Sequence, residues 1–330
     1  MNKRHRPVGQ IGLGLALCAM AGWIVWRAWQ NREPTYQGKT LVAWLQSLND
    51  PPGSGPPGND ELRMLYGGWN SGWTKEKGEL VKRALEHMGP RALPALRAMI
   101  RFRETPLRLK LKELVVKQRV VRFHFRSESE IHQEAAAGCQ LADPAVKTPL
   151  ITDWIQLLQD KENDEAKDPS RSAKSLDDVH EASFCLTRAS SNLGPEACRP
   201  LLEALAKGGT QLRRCAAATL RQFPSQGKIV APALLASLRN DPDSGVRYNA
   251  ALALGHMQPE AQTVVPALLS EVTNPASRVR VTSIWPLSQF TNQAPLIVPV
   301  LKTARTDSDP ALRSAVTNAL DRLIPQTNAK

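Results

Sequence analysis

Apolar residues recur three and four positions apart through most of the chain, which is the spacing of an amphipathic helix. This pattern predicts a short helix after Thr40, a residue suited to the N-cap, and a longer helix that ends at Met88. Between them, residues 51–58 (PPGSGPPG) contain too much Pro and Gly for regular structure. We therefore predict helices on both sides of a linker.

The second half of the chain repeats itself. Pro200, Pro232, Pro266 and Pro299, each followed by two apolar residues, are separated by 32, 34 and 33 residues. A second landmark, an apolar residue followed by Arg, keeps the same period, at Leu212-Arg213, Val246-Arg247, Val279-Arg280 and Leu312-Arg313. Two independent marks with one period predict a repeated structural unit.

Each unit contains a first helix with Pro in its early part, a polar turn and a second helix. Turns such as residues 240–244 (NDPDS) offer side-chain oxygens that can cap the helix that follows. Second helices such as residues 246–255 concentrate Ala and Leu, and one helix pair cannot bury such a face alone. The pairs are therefore expected to stack.

Residues 231–255 resemble a HEAT repeat almost position for position, and the resemblance is strong over residues 195–325. Residues 89–118 resemble a repeat whose second helix is rich in Leu, Lys and Arg. Residues 129–194 carry the landmarks but are interrupted by a polar stretch at 160–175, which we predict to be an exposed loop. From Tyr36 onwards the chain is similar to bacterial exported HEAT-repeat proteins of unassigned activity.

The N-terminus has the features of a membrane anchor. Three basic residues, Lys3, Arg4 and Arg6, precede an essentially uncharged run at residues 8–26, which is long enough to cross a bilayer as a helix. The basic residues favour a cytoplasmic N-terminus, which predicts a single-pass membrane protein with its bulk on the non-cytoplasmic side. Cleavage of a signal peptide near Ala21 is the alternative.

The composition supports a folded helical protein. Hydrophobic residues make up 42% of the 330 residues and aromatic residues only 5%, with abundant Ala and Leu. We predict an all-α protein, an α-solenoid of HEAT-type helix pairs wound as a right-handed superhelix behind one transmembrane helix. Its segments are residues 1–29 (basic tip and anchor), 30–73 (short helix and linker), 74–194 (irregular repeats), 195–325 (regular repeats) and 326–330 (tail).

The formal net charge of +12 is concentrated most strongly between residues 97 and 126. The candidate contacts for a polyanion or anionic lipid there are Arg97, Arg101, Arg108, Lys110, Lys112, Lys117, Arg119 and Arg122. The alternative is that these side chains coat exposed helix faces while Leu107, Leu109, Leu111 and Leu114 form the core side. A non-cytoplasmic location would argue against nucleic acid as the partner.

The repeated Arg213, Arg247, Arg280 and Arg313 resemble the HEAT-repeat arginines that pair with turn carboxylates, here Asp241 and Asp307. The resemblance implies that their role is structural. Four cysteines at helical positions are expected to be small buried hydrophobic residues, and a disulfide between Cys185 and Cys198 is the alternative.

Motifs for catalysis are missing from the sequence. The six histidines do not have the spacing of a helical metal pair, and there is no nucleophile elbow or phosphate-binding loop. Acidic residues lie near His132, but flanking charges of this kind are usually solvated. We therefore predict a protein-binding scaffold without catalytic residues, cofactor or metal, and the resemblance leaves an enzyme similar to bilin lyases as an alternative.

Overall fold

The computed structural model describes residues 33–48, 74–118, 125–167 and 172–324. Apart from one small hairpin, the regular structure in these ranges is helical. The helices are α1 (Leu41–Gln46), α2 (Lys75–Met88), α3 (Leu93–Ile100), α4 (Pro106–Gln118), α5 (Glu128–Leu141), α6 (Pro144–Lys147), α7 (Ile151–Lys167), α8 (Ser172–Ala189), α9 (Cys198–Lys207), α10 (Thr210–Leu220), α11 (Gly227–Asn240), α12 (Ser244–Leu254), α13 (Ala261–Thr273), α14 (Arg280–Gln289), α15 (Ala294–Ala304) and α16 (Pro310–Leu323).

The hairpin pairs β1 (Thr35–Tyr36) with β2 (Lys39–Thr40) in antiparallel register. Gln37 and Gly38 both have positive φ, at 49° and 75°, as a mirror-image two-residue turn requires. Thr40 then caps α1 by accepting a hydrogen bond from the Ala43 amide at 3.3 Å. The predicted helix after Thr40 is confirmed, whereas strands of two residues leave no alternating pattern from which the hairpin could be predicted.

The chain forms two compact units. The first comprises the residues up to Ala98 together with Leu141–Asp143, and the second comprises Met99–Gln140 and Pro144 onwards. In the first unit, α1 and α2 pack together, and the Trp44 indole donates to the Tyr36 carbonyl at 3.0 Å. The Tyr36 ring also lies 4.8 Å from the His87 ring, so the hairpin is held against α2.

The second unit is an array of helix pairs. Each first helix packs against the second helix that follows it, in the pairs α9–α10, α11–α12, α13–α14 and α15–α16. The second helices α8, α10, α12, α14 and α16 also stack on one another, and their Ala, Val and Leu side chains are buried at these contacts. This arrangement confirms the predicted all-α solenoid.

The repeat prolines lie within the first helices, and three of them are deeper than the predicted early part. Pro232, Pro266 and Pro299 each occupy the sixth position of α11, α13 and α15. At that depth proline removes one backbone hydrogen bond and favours a bend rather than simply starting the helix. The second landmark, the apolar-Arg pair, falls at or near the start of each second helix, as predicted.

The polar stretch at residues 160–175 was predicted to be a loop, and this is wrong for most of its length. Helix α7 continues to Lys167 and α8 begins at Ser172, while residues 168–171 lie outside the described ranges. The charged residues at the end of α7 can be helical because they form ion pairs and hydrogen bonds with neighbouring helices. Lys161 pairs with Glu128 at 2.8 Å, and Glu162 accepts a hydrogen bond from the Gln211 amide at the start of α10.

The predicted localisation as a single-pass membrane protein is corrected by the structure. Within residues 33–48, 74–118, 125–167 and 172–324, every helix is too short or too polar to cross a bilayer. The longest of them, α7 and α8, have 17 and 18 residues and contain several charged side chains. Residues 8–26, predicted as the anchor, lie outside the described ranges.

Candidate protein-binding face

In the second helices α10, α12, α14 and α16, two corresponding positions are at least partly exposed. They are the residue after the repeat arginine and the residue four positions later, which lie on the same face of the helix. The pairs are Arg214 and Ala218 in α10, Tyr248 and Leu252 in α12, Val281 and Trp285 in α14, and Ser314 and Asn318 in α16. The side chains on α12 and α14 are apolar or aromatic, and we call these four residues the aromatic face.

The aromatic face exposes two large rings. Tyr248 is 56% exposed and Trp285 is 39% exposed, although both belong to helices whose other sides are buried. Large apolar side chains gain free energy when they leave water, and Trp and Tyr dominate the binding energy of many protein interfaces. The aromatic face is therefore the candidate functional site of the second unit.

Trp285 is positioned by a close approach between α12 and α14. A Cβ atom added to Gly255 would lie 2.8 Å from Trp285 Cζ3 and 3.2 Å from Pro286 Cα, so a residue without a side chain is needed there. The His256 ring is 6.3 Å from the indole, and burial together with Arg221 lowers the pKa of this histidine. The indole consequently rests on the end of α12.

A hydrogen-bonded amide joins the same two helices. Gln258 donates through Nε2 to the Gln289 carbonyl at 3.0 Å and to the Gly255 carbonyl at 3.2 Å. Because Gly255 ends α12 and Gln289 ends α14, this side chain fixes the spacing of the two helix ends. The support of the aromatic face is thus already formed without a partner.

The start of α12 is held by a charged cluster. Arg214 donates to both carboxylate oxygens of Asp243, at 2.7 and 2.5 Å, and Asp243 Oδ1 also accepts from the Val246 amide at 2.9 Å. The hydrogen bonds from Arg214 lower the pKa of Asp243 to about 2, so the carboxylate is charged at neutral pH. Asn249 adds a contact by donating to the Arg214 carbonyl at 3.2 Å.

The four repeat arginines make two kinds of contact. Arg213 reaches Asp241 at 2.8 and 3.1 Å, and Arg280 reaches Asp307 at 3.3 and 2.5 Å, so each contacts the turn of the next repeat. Arg247 and Arg313 instead donate to carbonyls of their own turns. Their structural role stays a prediction.

A change in one turn explains why Arg247 differs from Arg213. The residue that corresponds to Asp241 and Asp307 in the turn after α13 is Asn274, which has no charge to offer. At this junction an ion pair between first helices is present instead, from Arg239 to Glu271 at 2.6 Å. Glu271 also accepts from the Ser277 hydroxyl at 2.8 Å, so the turn is still attached to its helix.

Replacing Arg213 with Gln should lower the free energy of unfolding by about 1.5 kcal/mol, because the nearly buried carboxylate of Asp241 would lose its partner. Arg247→Gln is the matched control. This substitution removes only hydrogen bonds to the carbonyls of Asp241 and Pro242, and it should lower the free energy of unfolding by about 0.5 kcal/mol. Urea unfolding of both variants checks this, and equal losses would contradict the different roles of the two arginines.

Several of the basic residues at 97–126 that were predicted to contact a polyanion instead contact other residues of the protein. Arg101 donates to Asp153 at 2.7 Å, Arg108 lies over the Phe102 ring at 4.6 Å, and Lys112 is 3.7 Å from Glu104. Lys110 is exposed and Arg97 is half-buried. Only the backbone of Lys117 is described, and Arg119 and Arg122 lie outside the described ranges, so polyanion binding stays a prediction.

The polar residues around His132 form contacts within the unit. His132 Nε2 lies 3.1 Å from the Phe102 carbonyl, and burial lowers the pKa of the imidazole to about 4, so it is neutral at pH 7. Glu128 and Glu134 pair with Lys161 and Arg126 at 2.8 and 2.5 Å. Among the described residues, no group of three His, Cys, Asp or Glu side chains is arranged to hold a metal ion.

The described cysteines are buried thiols. Cys139, Cys185, Cys198 and Cys215 are all free, so the expectation of small buried hydrophobic residues is confirmed and the alternative Cys185–Cys198 disulfide is not formed. Burial raises the pKa of the Cys139 thiol to about 12, which keeps it protonated and unreactive as a nucleophile.

The first unit contains an open cavity of about 490 Å³. Its lining is Glu33, Pro34, Thr35, His87, Met88, Arg91 and Pro94. The Tyr36 ring lies tilted against the ring of His87, one of the lining residues. It shares no residue with the aromatic face.

Comparison with known proteins agrees with the repeat architecture. The profile of HEAT repeats matches residues 231–321, which include the aromatic face. No curated protein matches the chain. Among solved structures, the chain is similar to Kap121p, with a TM-score of 0.44 and 12% identity over 75% of this chain. It is also similar to human deoxyhypusine hydroxylase in complex with glycerol, with a TM-score of 0.35 and 17% identity over 86% of this chain.

The match covers 28% of the Kap121p chain and 95% of the deoxyhypusine hydroxylase chain, so this protein spans under a third of the length of Kap121p. Likeness at these scores carries no information on activity. The stacked helix pairs and the match over residues 231–321 show that this part of the chain consists of HEAT repeats.

Proposed function

We propose that this protein is a binding scaffold without a catalytic centre, and that it receives a protein partner on the aromatic face. The observation that carries the proposal is the exposure of Tyr248 and Trp285 on neighbouring second helices. Aromatic side chains are enriched at the centres of protein interfaces, where they fill pockets of the partner.

The rigid support of these rings favours the same function. Trp285 rests on Gly255, and Gln258 ties the ends of α12 and α14 together, so little conformational freedom would be lost on binding. The polar positions Ser314 and Asn318 follow on α16, as at the rim of an interface. A partner with apolar groups at its centre and polar groups at one end fits this distribution.

The polar clusters of the second unit also favour a scaffold over an enzyme. The ion pairs Arg214–Asp243, Arg101–Asp153 and Lys161–Glu128 each join a helix to another helix or to the end of one, which is the arrangement expected of groups that hold helices together. His132 faces a backbone carbonyl from within the core.

Changing Tyr248 and Trp285 together to Ala should reduce the amount of partner captured by the immobilised protein at least about tenfold, because the two anchors would be removed. Capture is quantified by mass spectrometry against wild type. The double variant Ile229→Ala and Leu296→Ala is the matched control, because these residues are also large, apolar and exposed but lie on first helices.

The control should capture the same proteins as the wild type to within about twofold. Equal loss in both variants would show that general surface hydrophobicity is responsible, and unchanged capture by the Tyr248 and Trp285 variant would overturn the proposed face. Thermal unfolding of each variant separates lost binding from lost folding.

A further inference from the structure

Helix α4 exposes the residues that an amphipathic helix normally buries. Leu107 is 69% exposed, Leu111 48% and Leu114 55%. Their i, i+4 and i+7 spacing places all three on one side of the helix, where they form what we call the leucine stripe. The alternative in which these leucines form the core side is therefore wrong.

The helix is attached to the second unit by its polar side. Arg108 lies over the Phe102 ring at 4.6 Å and donates to the Arg126 carbonyl at 3.0 Å. Lys112, one turn further along the same side, is 3.7 Å from Glu104. Because these contacts fix the side bearing Arg108 and Lys112, the leucine stripe is turned outward.

Cations border the stripe on both sides. At 100° per residue, Lys110 lies beside Leu114 and Leu107, and Arg108 lies beside Leu111. The sequence of α4 contains one acidic residue, Glu113, and four basic residues, which are Arg108, Lys110, Lys112 and Lys117. An apolar stripe between positive charges is complementary to an apolar stripe between negative charges.

We propose that the leucine stripe docks an acidic amphipathic helix of a partner protein. The leucines supply the apolar contact, and Lys110 supplies the charge that selects an anionic segment. A second copy of α4 is a poor occupant because its cations would face those of the first. The proposal is independent of the aromatic face, which lies on α12 and α14.

The probe for the test is a labelled synthetic helix of three heptads, with Leu at the a and d positions and Glu at e and g. Its binding to the purified full chain is measured by fluorescence anisotropy. A scrambled peptide of the same composition controls for net charge, because its leucines no longer form one stripe. We expect binding of the ordered peptide and at least about tenfold weaker binding of the scrambled one.

Two leucines of nearly equal exposure provide a matched pair of variants. Leu111 lies in the stripe, whereas Leu109, 47% exposed, lies on the opposite side of α4. Leu111→Ser should weaken binding about fivefold or more, and Leu109→Ser by less than about twofold. Helical content, measured by circular dichroism, should be unchanged in both.

The charge of the site is tested separately. Lys110→Glu should weaken binding severalfold at low salt and much less at high salt, because salt screens the attraction. Lys82→Glu, an equal charge change on the exposed side of α2, should leave binding unchanged. The two charge variants keep the leucine stripe intact.

Three results would overturn the proposal. The first is equal binding of the ordered and scrambled peptides, or equal loss in the Leu109 and Leu111 variants. The second is binding to vesicles that contain phosphatidylglycerol with none to the peptide, which would assign the stripe to lipid. The third is self-association of the chain that Leu111→Ser abolishes, which would assign it to a second copy.

Discussion

Replacing Trp154 with Ala should lower the free energy of unfolding by about 4 kcal/mol, because the ring is among the largest fully buried side chains of the described residues. Trp154 is 1% exposed in α7 and lies edge-on to the His132 ring at 6.5 Å. Urea unfolding followed by far-UV circular dichroism measures the loss.

Trp285→Ala is the control for this prediction, since it removes the same side chain from the surface. Its indole is 39% exposed, so the expected cost is about 1 kcal/mol or less. Stability should therefore depend on Trp154, and partner binding on Trp285. Similar losses of stability in the two variants would contradict the division between a buried core and an exposed aromatic face.

Replacing Gly255 with Ala should destabilise the array by about 2 kcal/mol, because the added methyl group would press against Trp285 and the backbone at Pro286. The backbone at Pro286 cannot move without shifting α14 relative to α12. The Trp285 environment should change as well. Tryptophan fluorescence and urea unfolding of the variant test both consequences.

Gly227→Ala gives the matched comparison. A Cβ atom there would meet Glu260 Cγ at 2.5 Å, and this flexible side chain can turn away. Alanine also favours the helical conformation at this position, the first residue of α11. We expect a change of about 0.5 kcal/mol or less. If the two glycine variants were equally stable, the close approach at Gly255 would not be what positions Trp285.

The repeat array was predictable because its signal is redundant. Pro232 and Arg247 belong to two landmarks that keep one period. Every repeat is also stabilised in the same way, because the Ala and Leu face of its second helix is buried between neighbouring helix pairs. The helix after Thr40 was predictable for a local reason, since its cap and its apolar spacing lie within a few residues.

The errors in the fold prediction concern charged residues whose partners are distant in sequence. Residues 160–167 appear to be a loop by composition alone, yet Lys161 meets Glu128 across 33 positions. Such a pairing leaves no local pattern. The helix that contains Leu111 was correctly predicted, but spacing cannot tell whether an apolar stripe faces the core or water.

The candidate site was only partly predictable. The resemblance to HEAT repeats implied the contacts of Arg213 and Arg280 with turn carboxylates, and the different contact of Arg247 could have been found from Asn274, which replaces the carboxylate. The aromatic face was missed. Tyr248 directly follows the repeat residue Arg247 in the sequence, but the exposure of its side chain is known only once the helices are stacked.

Site-specific photocrosslinking tests the central claim most directly. A photoreactive amino acid is placed in the intact protein at Tyr248 or Trp285 on second helices, or at Ile229 or Leu296 on first helices, and crosslinked in its native cells. We expect that positions 248 and 285 crosslink one shared protein and that positions 229 and 296 do not. Crosslinks of that protein from positions 229 and 296 alone would contradict it.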